Sequence, residues 1–269
     1  MLHRSVTSGS VWIALIGGLL PVQAQAPVAA DLHPRASQAY EAHAEAARRD
    51  FIDRASRSVA KPDAPITAAP GRQDGIIGVP GGLVHHWTGS GFIRGITLQQ
   101  ALDASRDYST YPSVYRAVKS VRVLEEQEQS ARVLMRLHES AGGLSAVLDV
   151  RSTVHYARPG PGRGYSIATL DEIREVKNAG TPSETLLPVG RDSGYLWRGG
   201  SFTLFVEHET GVYVEMETLA LSRGFPPMMG WIIEPIARRI GRRSVETSLR
   251  EFQTAVLKRY PKSSAALAF

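Results

Sequence analysis

Arg132-Val-Leu-Met-Arg-Leu-His138 and the run that follows it, Ala146-Val-Leu-Asp-Val-Arg-Ser-Thr-Val-His-Tyr156, decide the fold of this chain. Both alternate with a period of two, the spacing of side chains along a strand. Val133, Met135 and Leu137 point one way; Arg132, Leu134, Arg136 and His138 point the other. In the second run Ala146, Leu148, Val150, Val154 and Tyr156 mark one face, and Asp149, Arg151, Thr153 and His155 the opposite one. Gly142-Gly143 joins them as a tight turn, which makes the pairing antiparallel.

The same pattern continues outward. Arg158-Pro-Gly-Pro-Gly-Arg-Gly164 turns the chain, Tyr165 to Val176 returns, and Tyr195-Leu-Trp-Arg198 leads into Phe202, Leu204 and Val206. A turn at Glu209-Thr-Gly211 opens the last strand, Val212 to Leu221. After Pro226-Pro227 the period becomes helical: Ile232, Ile236 and Ile240, then Val245, Leu249, Phe252 and Val256, with Gly241 as a point of bending. The reading is an α+β chain, an antiparallel sheet closed by one long C-terminal helix. Upstream, Leu83 to Trp87 reads as a first strand ended by Gly89-Ser90-Gly91. Thr97 with Gln100 forms a capping box for a short helix that buries Leu98, Ala101, Leu102 and Tyr108.

The N-terminal part divides in three. His3 and Arg4, the apolar run Val11 to Leu20 and the small-x-small site Ala24-Gln25-Ala26 read as a signal peptide over residues 1–26, cleaved near Ala26. Its apolar core is too short to span a bilayer, which takes about 20 residues. The expected location is periplasmic or secreted. Residues 27–57 hold a helix whose narrow stripe is Tyr40, Ala44, Ala47, Phe51 and Ala55. Residues 58–80, with Pro62, Pro65, Pro70 and Pro80, read as a linker before a domain over 81–262.

Cysteine is absent, which excludes disulfides, thiolate metal sites and a cysteine nucleophile. The net charge is +5, and residues 228–260 carry seven basic against three acidic side chains. Clustered arginines invite nucleic acid as a partner, but an exported chain without aromatic-basic interleaving does not fit one. His85 and His86 are adjacent on a strand and so face opposite ways, which keeps both off one metal ion. Asp192-Ser193-Gly194 lacks the flanks of a hydrolase nucleophile, and Gly160-x-Gly162-x-Gly164 is interrupted by Pro161 and lies between strands, not ahead of a helix. No cofactor or metal is expected.

The order of elements, with the Asp107-Tyr108 … Tyr111-Pro112 … Tyr115 segment entering the sheet, resembles the START/Bet v 1-like (SRPBCC) superfamily, the helix-grip domains that include lipid carriers and polyketide cyclases. The resemblance spans roughly residues 79–262 and implies a curved sheet wrapped around the C-terminal helix with a cavity between them. It implies a binding protein for a hydrophobic or amphipathic ligand, a lipid first of all. Cavity candidates are Met135, Leu148, Tyr195, Trp197, Phe205, Tyr213 and Met216; Phe225, Met228, Met229 and Trp231 would form an adaptable gate between the last strand and the helix. Arg238, Arg239, Arg242 and Arg243 would touch an anionic membrane surface transiently, or simply form a solvated helix flank. Two rival readings stand beside this: a cyclase or dehydratase using Tyr156, His155, Arg136 and Asp149, and a structural envelope protein with a filled core. The charged strand set, Arg132, Arg136, Asp149, Arg151, His155, Glu215 and Glu217, is expected to face away from the cavity.

Overall fold

A computed structural model describes residues 30–141, 144–224 and 230–261. In chain order the elements are β1 (Ala30–Asp31), α1 (Pro34–Ala55), β2 (Thr67–Pro70), β3 (Ile76–Val79), β4 (Gly82–Arg94) and α2 (Leu98–Arg106). A 3-10 turn (Tyr108–Thr110) and α3 (Tyr111–Val114) lead into β5 (Val118–Glu126), β6 (Ser130–Ala141), β7 (Leu144–Ala157) and β8 (Arg163–Lys177). The short β9 (Thr185–Leu186) and β10 (Arg191–Asp192) precede β11 (Arg198–His208), β12 (Gly211–Ser222) and α4 (Gly230–Arg259).

The main sheet runs β2-β4-β12-β11-β8-β7-β6-β5, all antiparallel, with β3 added to β4 and β9 to β8. It is curved, and α4 lies in its hollow, so the expected helix-grip arrangement is the one observed. Strand alternation sends Val212, Val214, Met216 and Ala220 into a core shared with Val245, Leu249, Phe252 and Val256 of α4. The intervening residues Tyr213, Leu219 and Leu221 face the other way.

That other face is not left to water. Helix α1 packs across it, burying Ala36, Tyr40, Ala47, Phe51 and Ala55. Phe51 meets Phe202 and Tyr165 with ring centroids 5.3 and 5.6 Å apart. A stripe rich in alanine buries little area by itself, but it lets the helix lie close to the sheet while Phe51 and Tyr40 supply the bulk. The sheet therefore separates two apolar layers.

Two expectations need correction. Residues 58–80 are not only linker: β2 pairs with β4 from Thr67↔Ser90 to Pro70↔Trp87, and β3 pairs with it from Ile76↔His85 to Val79↔Gly82. Four-residue strands are too short for a period to show, and Pro70 is tolerated because it sits at an edge. Likewise β4 does not end at Gly89-Ser90-Gly91 but runs through it to Arg94. The glycines mark close approach instead. A Cβ on Gly89 would lie 2.5 Å from Val245 Cγ1, and one on Gly91 2.6 Å from Ile66 Cγ1. Gly241 has the same role on the helix: α4 is continuous through it, and a Cβ there would lie 2.3 Å from Trp87 Nε1. Gly89 and Gly241 thus bring α4 down onto β4.

Candidate functional site

Helix α4 rests on β2, β4 and β12, whereas α2, the 3-10 turn and α3 pack on β5, β8 and β11. Between these two supports the layers enclose a cavity of about 110 Å³. Its roof is Ser105, Tyr108, Tyr111 and Tyr115, its floor comes from β6, β7, β8, β11 and β12, and Phe252 closes the α4 side.

The local sequence explains the roof. Thr97 caps α2, accepting from the Gln100 backbone N–H while Gln100 Oε1 accepts from the Thr97 N–H. Helix α2 ends at Asp107, and the Tyr108-Ser-Thr-Tyr-Pro-Ser-Val-Tyr115 stretch then turns tightly, presenting three tyrosines to the same interior. Tyr108 and Tyr111 have ring centroids 5.1 Å apart, Tyr111 and Tyr115 5.0 Å apart. The Tyr111 hydroxyl donates to the Ser105 carbonyl at 2.7 Å. Tyr108 shares a hydrogen bond with the hydroxyl of Tyr156, which rises from β7. Burial raises the pKa of all four phenols, so they stay protonated and act as hydrogen-bonding groups rather than bases.

Tyr108 and Tyr156 also line a surface groove of about 770 Å³ together with Arg106, Asp107, Glu126 and Arg158. The pair therefore forms the partition between groove and cavity. Arg106 lies over the Tyr156 ring, its guanidinium carbon 4.4 Å from the centroid. One hydrogen bond and one cation–π contact hold Tyr156 in this position.

Of the residues singled out from sequence, Met135, Phe205 and Met216 line the cavity. Leu148 lies in the same core without lining it, and Tyr195 packs at its margin. Trp197 and Tyr213 belong to the opposite layer and are corrected: Phe205 pairs with Val214, so Tyr213 must point to the α1 side. Trp197 donates its indole N–H to Asp192 at 2.9 Å in that layer. Phe225, Met228 and Met229, with the side chain of Trp231 and the signal segment, lie outside the described residues. Sequence reasoning missed Tyr156 as a lining residue of a binding cavity, and with it Tyr108, Tyr111 and Tyr115; the repeated tyrosines between Asp107 and Tyr115 were the available signal.

The charged strand residues behave as their alternation dictates. Arg136 bonds Asp149 at 2.7 and 2.8 Å, and Arg151 bonds Glu172 at 3.3 Å, both away from the cavity. His155 is exposed. Glu215 and Glu217 face the same way but lie under α1, where Arg54 bonds both, at 2.8 and 2.7 Å. His86 adds Nε2 to Glu217 at 2.7 Å, and its Nδ1 meets His43 of α1 at 2.9 Å. Burial opposes the charge of Glu217, but the His86 and Arg54 contacts prevail and hold its pKa below the ordinary value. Burial pushes His43 down, and the neighbouring His86 and Arg72 push it further. His85, on the α4 side, bonds Ser222 at 2.9 Å and is driven down to about 3 by burial. On α4, Arg238 bonds the Asp74 carbonyl and Glu234, and Arg242 bonds Glu246, while Arg239 and Arg243 are exposed.

No family model and no curated protein matches this chain. Solved structures with a similar fold include a fragment of the STAR-related lipid transfer protein of Xanthomonas axonopodis, with 13% identity over 71% of this chain and 98% of that one and a TM-score of 0.45. Human StAR-related lipid transfer protein 5 has 17% identity over 83% and 97%, with a TM-score of 0.45. The Zhui aromatase/cyclase of Streptomyces sp. R1128 has 12% identity over 65% and 95%, with a TM-score of 0.42. The chain has a helix-grip arrangement of antiparallel sheet and C-terminal helix; likenesses at this level carry neither a superfamily nor a function to it.

Proposed function

We propose that this chain is an exported binding protein that holds a hydrophobic or amphipathic small molecule between sheet and C-terminal helix. The observation that carries the reading is the shared wall: Tyr108 and Tyr156 line both a largely apolar cavity and a polar groove. An amphipathic ligand fits that geometry, with its apolar end past the tyrosines and its polar end among Arg106, Glu126 and Arg158. The enclosed volume of about 110 Å³ is well below the roughly 300–1,000 Å³ of ordinary ligand pockets, so a lipid chain requires the partition to open. Burial then drives binding, at about 0.8 kcal/mol per methylene.

Binding is favoured over acid–base catalysis by the lining itself. Among the described lining residues the titratable groups are tyrosines, whose raised pKa leaves them protonated. The exposed Arg239 and Arg243 extend the reading to transient contact with anionic membrane; sedimentation with anionic vesicles that is lost in high salt and in Arg239→Glu/Arg243→Glu would support it. The ligand reading is tested by stopped-flow binding of a fluorescent fatty acid. Tyr156→Phe removes the hydroxyl contact with Tyr108 and should speed association several-fold. Absence of binding by the natural chain, or an unchanged rate in the variant, would count against a site entered at this partition.

A further inference from the structure

We propose that helix α1 is a pH-released cover of the sheet's outer face, held there by a histidine pair that admits one proton but not two. This face lies opposite the cavity and stands apart from any ligand held there. Along α1, His43, Asp50 and Arg54 are spaced by seven and four residues, so they form a polar edge beside the apolar stripe. Opposite them β4 supplies His86, β12 supplies Glu215 and Glu217, and the turn between β2 and β3 supplies Arg72.

The bonding fixes where protons can sit. Glu217 stays a carboxylate, so the His86 Nε2 that it faces at 2.7 Å carries a hydrogen. His86 Nδ1 is then a lone pair and accepts from His43 Nε2–H at 2.9 Å, with the two rings at 85° to one another. A first proton fits on His43 Nδ1, which bonds no other described residue. Burial, His86 and Arg72 resist even that one, lowering the pKa of His43 against the pull of Glu217. A second proton has no place: on His86 Nδ1 it would set two N–H groups head-on between two cations. The surroundings offer no relief. A cleft of about 530 Å³ beside the pair is lined by Arg54, Lys61 and Arg72 against Asp50, Glu215 and Glu217. Arg54 bonds both glutamates and Arg72 bonds Asp50, which leaves no carboxylate there for a second imidazolium. Nor can the His86 ring turn away: it is 2% exposed, and a Cβ on Gly71 would lie 2.3 Å from its Cδ2.

Once α1 lifts, each histidine takes its own proton near 6.5. The undocked state therefore binds the extra proton, and docking weakens as pH falls below about 6.5, by about tenfold per pH unit. The surface uncovered is apolar, since Phe202, Leu204 and Tyr213 lie beneath the helix.

Hydrogen exchange of the full chain, read by mass spectrometry and corrected for the intrinsic rate, tests this. Amides of α1 should be less protected than those of β12 at every pH and should lose about tenfold in protection per pH unit below about 6.5. His43→Gln keeps an N–H for His86 Nδ1 but takes no proton, so α1 protection should become nearly independent of pH. His43→Ala, which suits a helix, should give low and equally flat protection, and serves if the first variant does not fold. The slope should survive in His85→Gln, which alters only the other face. Flat α1 protection in the natural chain, a slope kept in the His43 variants, or a slope lost in His85→Gln would overturn the proposal. So would α1 and β12 amides converging on one protection value in acid, because the opening would then be global unfolding.

Discussion

Filling the cavity from its floor should stabilise the protein and close the site. Ala168 lines the floor on β8, opposite Val154 of β7 and Ser201 of β11. Leucine there adds three carbons to a space of about 110 Å³. Burying them is favourable by about 2.4 kcal/mol, and ordering the longer side chain costs roughly 0.5–1 kcal/mol. Allowing for imperfect rotamer fit, Ala168→Leu should be about 1 kcal/mol more stable than the natural chain. In a packed interior the same change costs typically 1–3 kcal/mol. Urea unfolding followed by far-UV circular dichroism separates the two cases by the sign of the midpoint shift. Fatty-acid binding should be lost at the same time. Destabilisation by more than about 1 kcal/mol, with m unchanged, would show that the floor has no room and refute the reasoning.

Gly241→Ala should destabilise by about 1–3 kcal/mol despite the better helix propensity of alanine, because the new methyl lies against the Trp87 indole; thermal melts will show it. Arg54→Met leaves Glu217 and Glu215 under α1 without their shared cation. Losing a partner of a buried pair costs about 3–5 kcal/mol, and since the Arg54 side chain is 39% exposed the expected loss is nearer 2 kcal/mol by urea titration. Stability should also fall with acid. His85 stays neutral in the fold down to about 3, whereas an unfolded histidine takes its proton near 6.5, so the unfolded chain binds the extra proton and stability declines as pH drops below about 6.5. His43, lowered for related reasons, acts in the same direction. Asp192, raised by burial to about 6, acts against them, since its burial costs stability as pH rises from about 4 to 6. His85→Gln should therefore flatten the pH dependence between pH 6.5 and 4 by about 3 kcal/mol, and an unchanged slope would remove His85 from the account.

The sheet and its closing helix were legible because alternation and helical periodicity are local and long-lived in this chain: β6, β7, β12 and α4 each repeat their pattern over a dozen residues or more. The capping box at Thr97 was legible for the same reason, being set by two residues three apart. What escaped depends on pairing. Nothing in Thr67-Ala-Ala-Pro70 announces a strand until β4 lies beside it. The glycines of β4 read as a stop because the groups that need their missing side chains, Val245 of α4 at Gly89 and Ile66 at Gly91, meet them only in the folded chain. Tyr213 and Met216, three apart on one strand, cannot share a face, and parity alone would have removed Tyr213 from the cavity candidates.

The most direct test of the ligand site is native mass spectrometry of the full chain purified without detergent, followed by solvent extraction of whatever it carries. The natural protein is expected to retain a small apolar or amphipathic molecule at close to one per chain, and Ala168→Leu to retain none. A natural protein that emerges empty and takes up no fatty acid, or an Ala168→Leu variant that carries the same molecule in the same amount, would contradict the assignment of the cavity as the binding site.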